Sequence, residues 1–382
     1  MAIELNELIG QDAFLEKVTP YLNMHKCQLS PEGRPAGVFY LMGPTGVGKT
    51  FSVQSLAKAI HGKPTNLLMI NCAEFQLEHE VAKLVGAPPG YLGHRETQPV
   101  FTQQKLSAVA SDKSVLSIVL FDEIEKASPS LHRILLGIMD NGTMKLGDGT
   151  SVNFQNSMIF MSSNVGSNVV METMDRGIGF TGDAKRKANQ TEQKMQKELS
   201  KAFSMEFLNR IDEIISFSPL SMESVTKITN IQMDYLKRRI LVTQPVTKMF
   251  YTENVVGYLA NKAYDPRYGA REVKRTVFRN VQSEVANILS SHAPNRIEKI
   301  EFDVSNEQMT IKVVKVGEKS EVKPEKTVET VMKVGGTPVY SGGGKDDPAV
   351  KKAKKARKTV QRSYTMGDLM KESEPWGIKP SV

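Results

Sequence analysis

The sequence contains few cysteines and no long apolar run. Cys27 and Cys72 are the two cysteines among 382 residues, which excludes a disulfide framework and a four-cysteine zinc module. We expect both thiols to be small core side chains, the usual place of a free cysteine. No apolar segment approaches the roughly 20 residues that a bilayer-spanning helix needs, and the acidic residues 1–7 lack the layout of a secretory signal. The sequence therefore predicts a cytoplasmic protein without a membrane span.

The excess of positive charge lies mostly near the C-terminus. The formal net charge is +8, and residues 316–382 hold fourteen Lys and Arg against nine Asp and Glu, so +5 of the excess falls in that segment. The preceding residues are nearly balanced in charge and show no basic face of the kind that binds nucleic acid. This distribution argues against a nucleic-acid partner.

In residues 1–217, short apolar runs alternate with helical stretches. The runs are residues 38–42, 67–70, 115–121, 157–161 and 213–217. Continuous apolar runs of this length are typical of strands that are buried on both faces. Residues 1–217 therefore predict an α/β domain with a parallel sheet flanked by helices.

The pattern changes twice after residue 217. Residues 218–315 predict a small, mainly helical domain, with helices at 222–241, 254–263 and 270–289 and two strands at 297–302 and 309–314. Residues 316–382 are rich in Lys, Glu, Gly and Pro and predict a disordered basic tail. This tail contains a basic run at 351–358 and the one tryptophan, Trp376.

Residues 43–50 read GPTGVGKT and directly follow the first apolar run. A G-x-x-x-x-G-K-[ST] segment between a strand and a helix is a phosphate-binding loop, whose backbone N–H groups cradle phosphates. Lys49 would reach the β- and γ-phosphates, and the Thr50 hydroxyl would hold Mg²⁺. The sequence therefore predicts that a nucleoside triphosphate is bound by Gly43, Pro44, Thr45, Gly46, Val47, Gly48, Lys49 and Thr50.

An acidic pair ends the third apolar run, which reads SIVLFDE over residues 117–123. Asp122 would hold Mg²⁺, mostly through water, because this ion keeps much of its hydration shell. Glu123 stands where it can polarise the water that attacks the γ-phosphate. The alternative is that the two carboxylates only cap the helical turn that follows them.

Four further segments carry a family resemblance. They are LFDEIEKA at 120–127, GAPPGYLG at 86–93, FLNRID at 207–212 and YDPRYGAR at 264–271. Together with the phosphate-binding loop, they resemble the Clp family of AAA+ unfoldases in order and spacing over about residues 5–315. The chain is most similar to the second ATPase module of ClpB, ClpC and ClpA, or to ClpX. The resemblance implies a P-loop AAA+ domain followed by a lid domain, ATP and Mg²⁺ as cofactors, and a hexameric ring.

The resemblance also implies two polar residues that act on the phosphates. Asn164 matches the sensor-1 position, where an amide contacts the γ-phosphate or its water. Arg210 matches the arginine finger, which stabilises the transition state in the neighbouring subunit. The alternatives are that Asn164 only forms a turn at a strand end, and that Arg210 pairs locally with Asp212 or Glu213.

Further matches surround the nucleotide. Arg271 matches the sensor-2 residue, which projects from the lid domain onto the nucleotide of the large domain. Ile9 and Gly10 match the segment whose backbone lines the adenine pocket. With Glu123, Lys49, Asn164 and Arg210, Arg271 completes the implied catalytic set.

Tyr91 lies between glycines in the segment GYLG. In the family this position faces the central channel of the hexamer. The aromatic side chain of Tyr91 would grip an unfolded polypeptide there without sequence preference. A surface tyrosine in a turn is the alternative. We expect a second channel loop near residues 143–150.

A tripeptide between the sensor-1 position and the arginine finger matches a docking element. Ile178, Gly179 and Phe180 fit the aliphatic-Gly-Phe tripeptide with which some Clp unfoldases bind a ClpP-like peptidase. The alternative is that Ile178 and Phe180 pack on their own domain.

The sequence thus predicts a hexameric ATPase that threads unfolded or misassembled proteins through its pore and can feed a ClpP-like peptidase. Two other classes stay open: a partner-specific assembly or disassembly ATPase recruited through the tail, and a nucleic-acid motor or loader. The sequence begins at the ATPase module, so we expect substrate choice to come from the pore, the tail or an adaptor.

Overall fold

The structure is a computed structural model that describes residues 8–86, 99–170, 184–292, 296–305 and 308–316, of which 184–192 are described by their backbone. Seven strands lie in its first part: β1 (Gly37–Met42), β2 (Leu68–Asn71), β3 (Ser117–Asp122), β4 (Thr143–Lys145), β5 (Ser151–Asn153), β6 (Ser157–Ser163) and β7 (Glu213–Ser216). Five of them form a sheet in the order β2-β3-β6-β1-β7, in which every neighbouring pair is parallel. The predicted parallel sheet is confirmed, and β4 and β5 form a separate antiparallel hairpin at the expected second channel loop.

Seven helices accompany these strands among the described residues. They are α1 (Asp12–Lys26), α2 (Lys49–His61), α3 (Ala82–Val85), α4 (Gln103–Val109), α5 (Pro129–Asn141), α6 (Ala184–Ala202) and α7 (Met205–Leu208). No described helix is both long enough and apolar enough to cross a membrane.

Side chains of β1 alternate between two apolar layers. Val38, Tyr40 and Met42 pack in one layer with side chains of α5. Phe39 and Leu41 pack in the other layer with side chains of α1 and α2. On the second face the ring of Phe39 stacks on Phe160 of β6 at 4.9 Å, and Phe14 of α1 lies 6.0 Å from Phe160. Burial on both faces explains why the strands read as continuous apolar runs.

One expectation about the cysteines is wrong. Cys72 is buried, and burial, followed by the nearby Asp122 carboxylate, raises the pKa of its thiol to about 12. Cys27, however, is exposed. It directly follows α1, whose buried stripe of Phe14, Val18 and Leu22 has already ended.

The second part of the chain has a core of its own. Its helices are α8 (Met222–Thr243), α9 (Glu253–Ala263), α10 (Ala270–Val277) and α11 (Ser283–Ser290), and a π-helical turn (Phe278–Gln282) joins the last two. Its strands are β8 (Lys248–Tyr251), β9 (Ile297–Ser305) and β10 (Gln308–Lys315), in the order β10-β9-β8. Strand β8 adds to the two strands that the sequence predicts. Its four residues are too few to show the alternation of apolar and polar side chains that predicts a strand. Pairing with β9 holds them in place.

The two parts meet through their backbones at the phosphate-binding loop. The N–H of Ala270 donates to the carbonyl of Gly46 over 2.9 Å. Gly269 has a φ of +53°, and a Cβ placed there would lie 2.6 Å from the Gly46 oxygen. A Cβ on Gly46 would lie 2.1 Å from the carbonyl oxygen of Tyr268. The contact therefore requires glycine on both sides.

We expect Gly269→Ala to destabilise this contact by about 1–3 kcal/mol, because the methyl group overlaps Gly46 and alanine rarely adopts this backbone angle. Differential scanning calorimetry would show the loss as a lower Tm. The matched control is Gly257→Ala in α9, where an added Cβ meets no atom within 4 Å. That control should keep or raise the Tm, since alanine favours a helix. Equal melting of both variants would contradict the close contact.

Candidate functional site

A cavity of about 310 Å³ lies where the phosphate-binding loop, the ends of β3 and β6, and the second domain converge. The loop runs from the end of β1 to the start of α2, so that the first turn of that helix faces the cavity. Most of the residues predicted from the sequence line this one space: Ile9, Thr45, Gly46, Val47, Gly48, Lys49, Thr50, Asp122, Glu123, Asn164 and Arg271. Helix N-termini and loop N–H groups favour bound phosphate.

Lys49 is the most enclosed charge of the cavity. Its ammonium donates to the carbonyls of Gly43 at 2.5 Å and Pro44 at 2.9 Å, and to Oδ1 of Asn164 at 2.9 Å. Burial lowers the pKa of Lys49 to about 8, while the carboxylates of Glu125 and Asp122 oppose this shift. The side chain therefore stays largely cationic at neutral pH, as contact with phosphate oxygens requires.

Thr50 and Asp122 face each other across the cavity floor. The Thr50 hydroxyl donates to Oδ1 of Asp122 over 3.2 Å. The Ser162 hydroxyl also donates to Asp122, and it accepts the N–H of Glu123 over 3.2 Å. A hydroxyl beside a carboxylate is the oxygen donor set that Mg²⁺ takes together with water and phosphate. These residues therefore fit the predicted metal ligands.

Glu123 has an unusual backbone. Its φ is +58°, in the left-handed region, directly after β3. This conformation is uncommon outside glycine and occurs often at functional sites. The side chain makes no hydrogen bond that caps the turn Ile124–Lys126. It instead lines the cavity and pairs with Lys126 at 2.5 Å.

Glu125 is a residue that the sequence reasoning missed. Its Oε1 accepts both the backbone N–H of Asn164 at 3.2 Å and the side-chain amide at 3.3 Å. These bonds direct Oδ1 of Asn164 toward Lys49. The side chain of Asn164 is thus hydrogen-bonded to two residues of the site, and its role at the γ-phosphate stays a prediction. The available signal was the position of Glu125, three residues after Asp122 on a short helical turn.

The second domain supplies an apolar wall that the motifs did not indicate. Leu220, Ile228 and Ile231 line the cavity together with Ile9 and Phe51. A slot between aliphatic side chains suits the face of a base. Their signal was weak, because Ile228 and Ile231 follow the ordinary apolar spacing of the amphipathic helix α8 and Leu220 lies in the connection before it.

Of the two predicted residues Gly10 and Arg271, only Arg271 lines the cavity. Gly10 does not line the cavity but lies against Ser224, while its neighbour Gln11 donates to the carbonyls of Val47 at 3.3 Å and Ser218 at 3.0 Å. Arg271, in the first turn of α10, reaches the cavity from the second domain and contributes to lowering the pKa of Lys49.

Arg210 does not join this cavity. Its guanidinium pairs with Asp140 near the end of α5. The predicted alternative partner Asp212 pairs instead with Arg34 at 2.9 Å and accepts the N–H of Val38 at 2.8 Å. Arg210 thus lies outside the cavity of its own chain and is partly exposed.

Several predicted elements lie outside the described residues. They are the channel residue Tyr91, the tripeptide Ile178, Gly179 and Phe180, and the tail beyond residue 316. Their assignments stay predictions of the sequence.

Comparison with known families covers both domains. The model of the AAA domain (Cdc48 subfamily) matches residues 34–214, and the model of the C-terminal, D2-small domain of ClpB protein matches residues 220–302.

Curated relatives share about a third of their residues with this chain. The probable chaperone protein ClpB 1 of Chlorobaculum tepidum is 33% identical over 308 residues, which cover 80% of this chain and 67% of that protein. The chaperone protein ClpB of Wolinella succinogenes is 32% identical over 307 residues, 80% of this chain and 33% of that protein. For the mitochondrial ClpB4 of Arabidopsis thaliana the identity is 36% over 282 residues, 74% of this chain and 28% of that protein. The chain thus spans about a third of the length of most of these relatives.

A solved structure shows the same fold. A closed-state cryo-EM reconstruction of Hsp104 with ATPγS and FITC casein aligns with a TM-score of 0.68 at 24% identity, over 80% of this chain and 50% of that chain.

We expect Glu125→Ala to lower kcat for ATP hydrolysis about tenfold, because Asn164 loses hydrogen bonds to a charged group that are worth about 1.5 kcal/mol. Steady-state kinetics should show a much smaller change in KM. Glu125→Gln keeps an oxygen acceptor and should retain most of the rate. Equal losses in both variants, or a lower Tm with unchanged kcat, would contradict an orienting role.

Proposed function

The chain belongs to the Clp family of AAA+ ATPases, as a module like the second ATPase module of ClpB, and we propose that it uses ATP hydrolysis to unfold proteins by threading them through a ring. The observation that carries this proposal is the composite cavity, whose walls come from both domains. A nucleotide bound there would touch the phosphate-binding loop and Arg271 at once. Its hydrolysis would therefore change the angle between the domains, which is the hinge motion that such machines use.

The residues of the cavity support the chemistry step by step. Lys49 and the loop N–H groups hold the phosphates, and Thr50 and Asp122 would hold Mg²⁺, which neutralises phosphate charge when bound. Glu123 accepts the proton of the attacking water. Asn164, which accepts from Lys49 and is oriented by Glu125, would contact the γ-phosphate or its attacking water.

Assembly would complete the site. An arginine that stabilises the transition state must reach the γ-phosphate, and Arg210 lies outside the cavity of its own chain. In a ring it would reach the cavity of the neighbouring subunit. We therefore infer a homo-oligomer, hexameric by family resemblance, in which hydrolysis depends on subunit contact.

The proposed substrates are unfolded or misassembled polypeptides. The relatives named ClpB are chaperones by name, and a ring with Tyr91 in its channel would grip a chain without reading its sequence. The proposal that substrates are delivered to a ClpP-like peptidase is supported only by the match of Ile178, Gly179 and Phe180 to the docking tripeptide.

We expect the wild-type protein with ATP to abolish the fluorescence of a stable folded protein that carries an unstructured tail. Tyr91→Ala should lose this activity, because no aromatic side chain remains in the channel to grip the substrate polypeptide. Tyr91→Phe keeps an aromatic side chain and should retain the activity. ATP hydrolysis is measured in parallel to show that the motor runs.

Unfolding by Tyr91→Ala at the wild-type rate would contradict the pore assignment. Hydrolysis without unfolding by the wild type would favour a partner-specific ATPase recruited through the tail. Adding a ClpP-like peptidase tests the tripeptide: degradation that is lost in Phe180→Ala would support docking.

Arg210→Ala should lower kcat at least about a thousandfold while leaving nucleotide affinity intact, the size expected for an arginine finger. Glu123→Gln should also bind ATP without hydrolysing it. Mixing the two inactive proteins should restore hydrolysis, because Glu123→Gln subunits supply Arg210 to neighbours whose Glu123 is intact. The control mixes each variant with itself. No recovery at any mixing ratio would contradict action between subunits.

A further inference from the structure

A second cavity, of about 730 Å³, lies on the second domain. It is a groove between α8 and the helical segment formed by α10 and the π-helical turn. We call it the lid groove and define it by Tyr235, Leu236 and Arg239 of α8 and by Lys274, Phe278 and Arg279 of the opposite wall. Two aromatic rings border it, with Tyr235 63% and Phe278 56% exposed. Two exposed rings that line one groove are typical of a binding surface.

The lid groove is strongly positive. Arg239, Lys274, Arg275 and Arg279 line it. Arg275 pairs with Glu272 at 3.3 Å, but in the described part of the chain the other three have no carboxylate within ion-pair distance. A fitting ligand is therefore acidic and carries apolar side chains for the two rings.

We propose that residues 363–376 of the same chain occupy the lid groove. This segment reads SYTMGDLMKESEPW and carries Asp368, Glu372 and Glu374 against one cation, Lys371. Met366, Leu369, Met370 and Trp376 supply apolar surface, the first three at the i, i+3, i+4 spacing of one helix face. The basic run at 351–358 has the same sign as the groove and is excluded as its occupant.

The segment can reach the groove. The described chain ends at Val316, just after β10 of the same domain, and about 46 residues precede Ser363. A random coil of about 46 residues spans roughly 35–40 Å end to end. That exceeds the dimensions of a domain of about 100 residues, whose radius of gyration is about 13 Å.

Docking there would place the tail beside the nucleotide. Gln232 and Lys274 line both the lid groove and the first cavity. An occupant of the groove would thus share two side chains with the nucleotide site.

The test uses Trp376, the one tryptophan of the chain. In the 382-residue protein we expect its fluorescence to be quenched by acrylamide about twofold less than that of a synthetic peptide of residues 363–376, because the indole packs against the groove. Arg239→Glu combined with Arg279→Glu should raise quenching to the value of the peptide. Both side chains are exposed, so the variant should fold, which its Tm verifies. Adding Glu372→Lys and Glu374→Lys to this variant should restore protection, since the charges are exchanged.

The matched control is Lys248→Glu combined with Lys312→Glu, which changes the charge of the same domain equally at exposed positions outside the groove. It should keep Trp376 protected. Quenching of the wild type equal to that of the peptide would overturn the proposal, as would protection that survives reversal of Arg239 and Arg279. Protection that disappears on dilution would place the segment in the groove of another copy and overturn docking within the chain.

Discussion

The carbonyl of Gly46 accepts a hydrogen bond from the N–H of Ala270, and no side chain separates the two backbones at that point. This close approach brings the second domain onto the phosphate-binding loop and lets Arg271 enter the cavity. A side chain on Gly46 or Gly269 would overlap backbone atoms on the other side of this contact. The composite site, and with it any coupling between nucleotide and domain angle, depends on this contact.

The chemistry of the cavity depends on a second constraint, which is the enclosure of Lys49 at the edge of an apolar sheet. Removing an ammonium from water is costly unless oxygen atoms surround it. Two loop carbonyls and Asn164 provide them, and the carboxylates of Glu125 and Asp122 oppose the loss of the proton. Asn164 is itself held by Glu125. The residues proposed to bind phosphate and to orient the attacking water therefore belong to one hydrogen-bond network.

Much of the fold could be predicted because its signals are local. Strands buried on both faces must be apolar throughout, so β1, β3 and β6 were predicted within a few residues. Strand β8 was missed because its four residues are held by distant β9. The exposure of Cys27 was also missed, since it depends on where the buried stripe of α1 ends. For the site, the roles of the predicted residues stay predictions, although the structure brings most of them together.

By itself, the sequence determined that the chain carries the motifs of a nucleotide-binding ATPase. The glycines, Lys49, Thr50 and the acidic pair after β3 predict a phosphate and metal site through residue type and short spacing, which can be recognised without knowledge of the fold. Tertiary structure alone decided which distant groups join them. The hydrogen bonds between Glu125 and Asn164, the aliphatic wall of the cavity, the ion pair of Arg210 with Asp140 and the positive lid groove join residues that lie far apart in the chain. Their proximity depends on packing, which local patterns indicate only weakly.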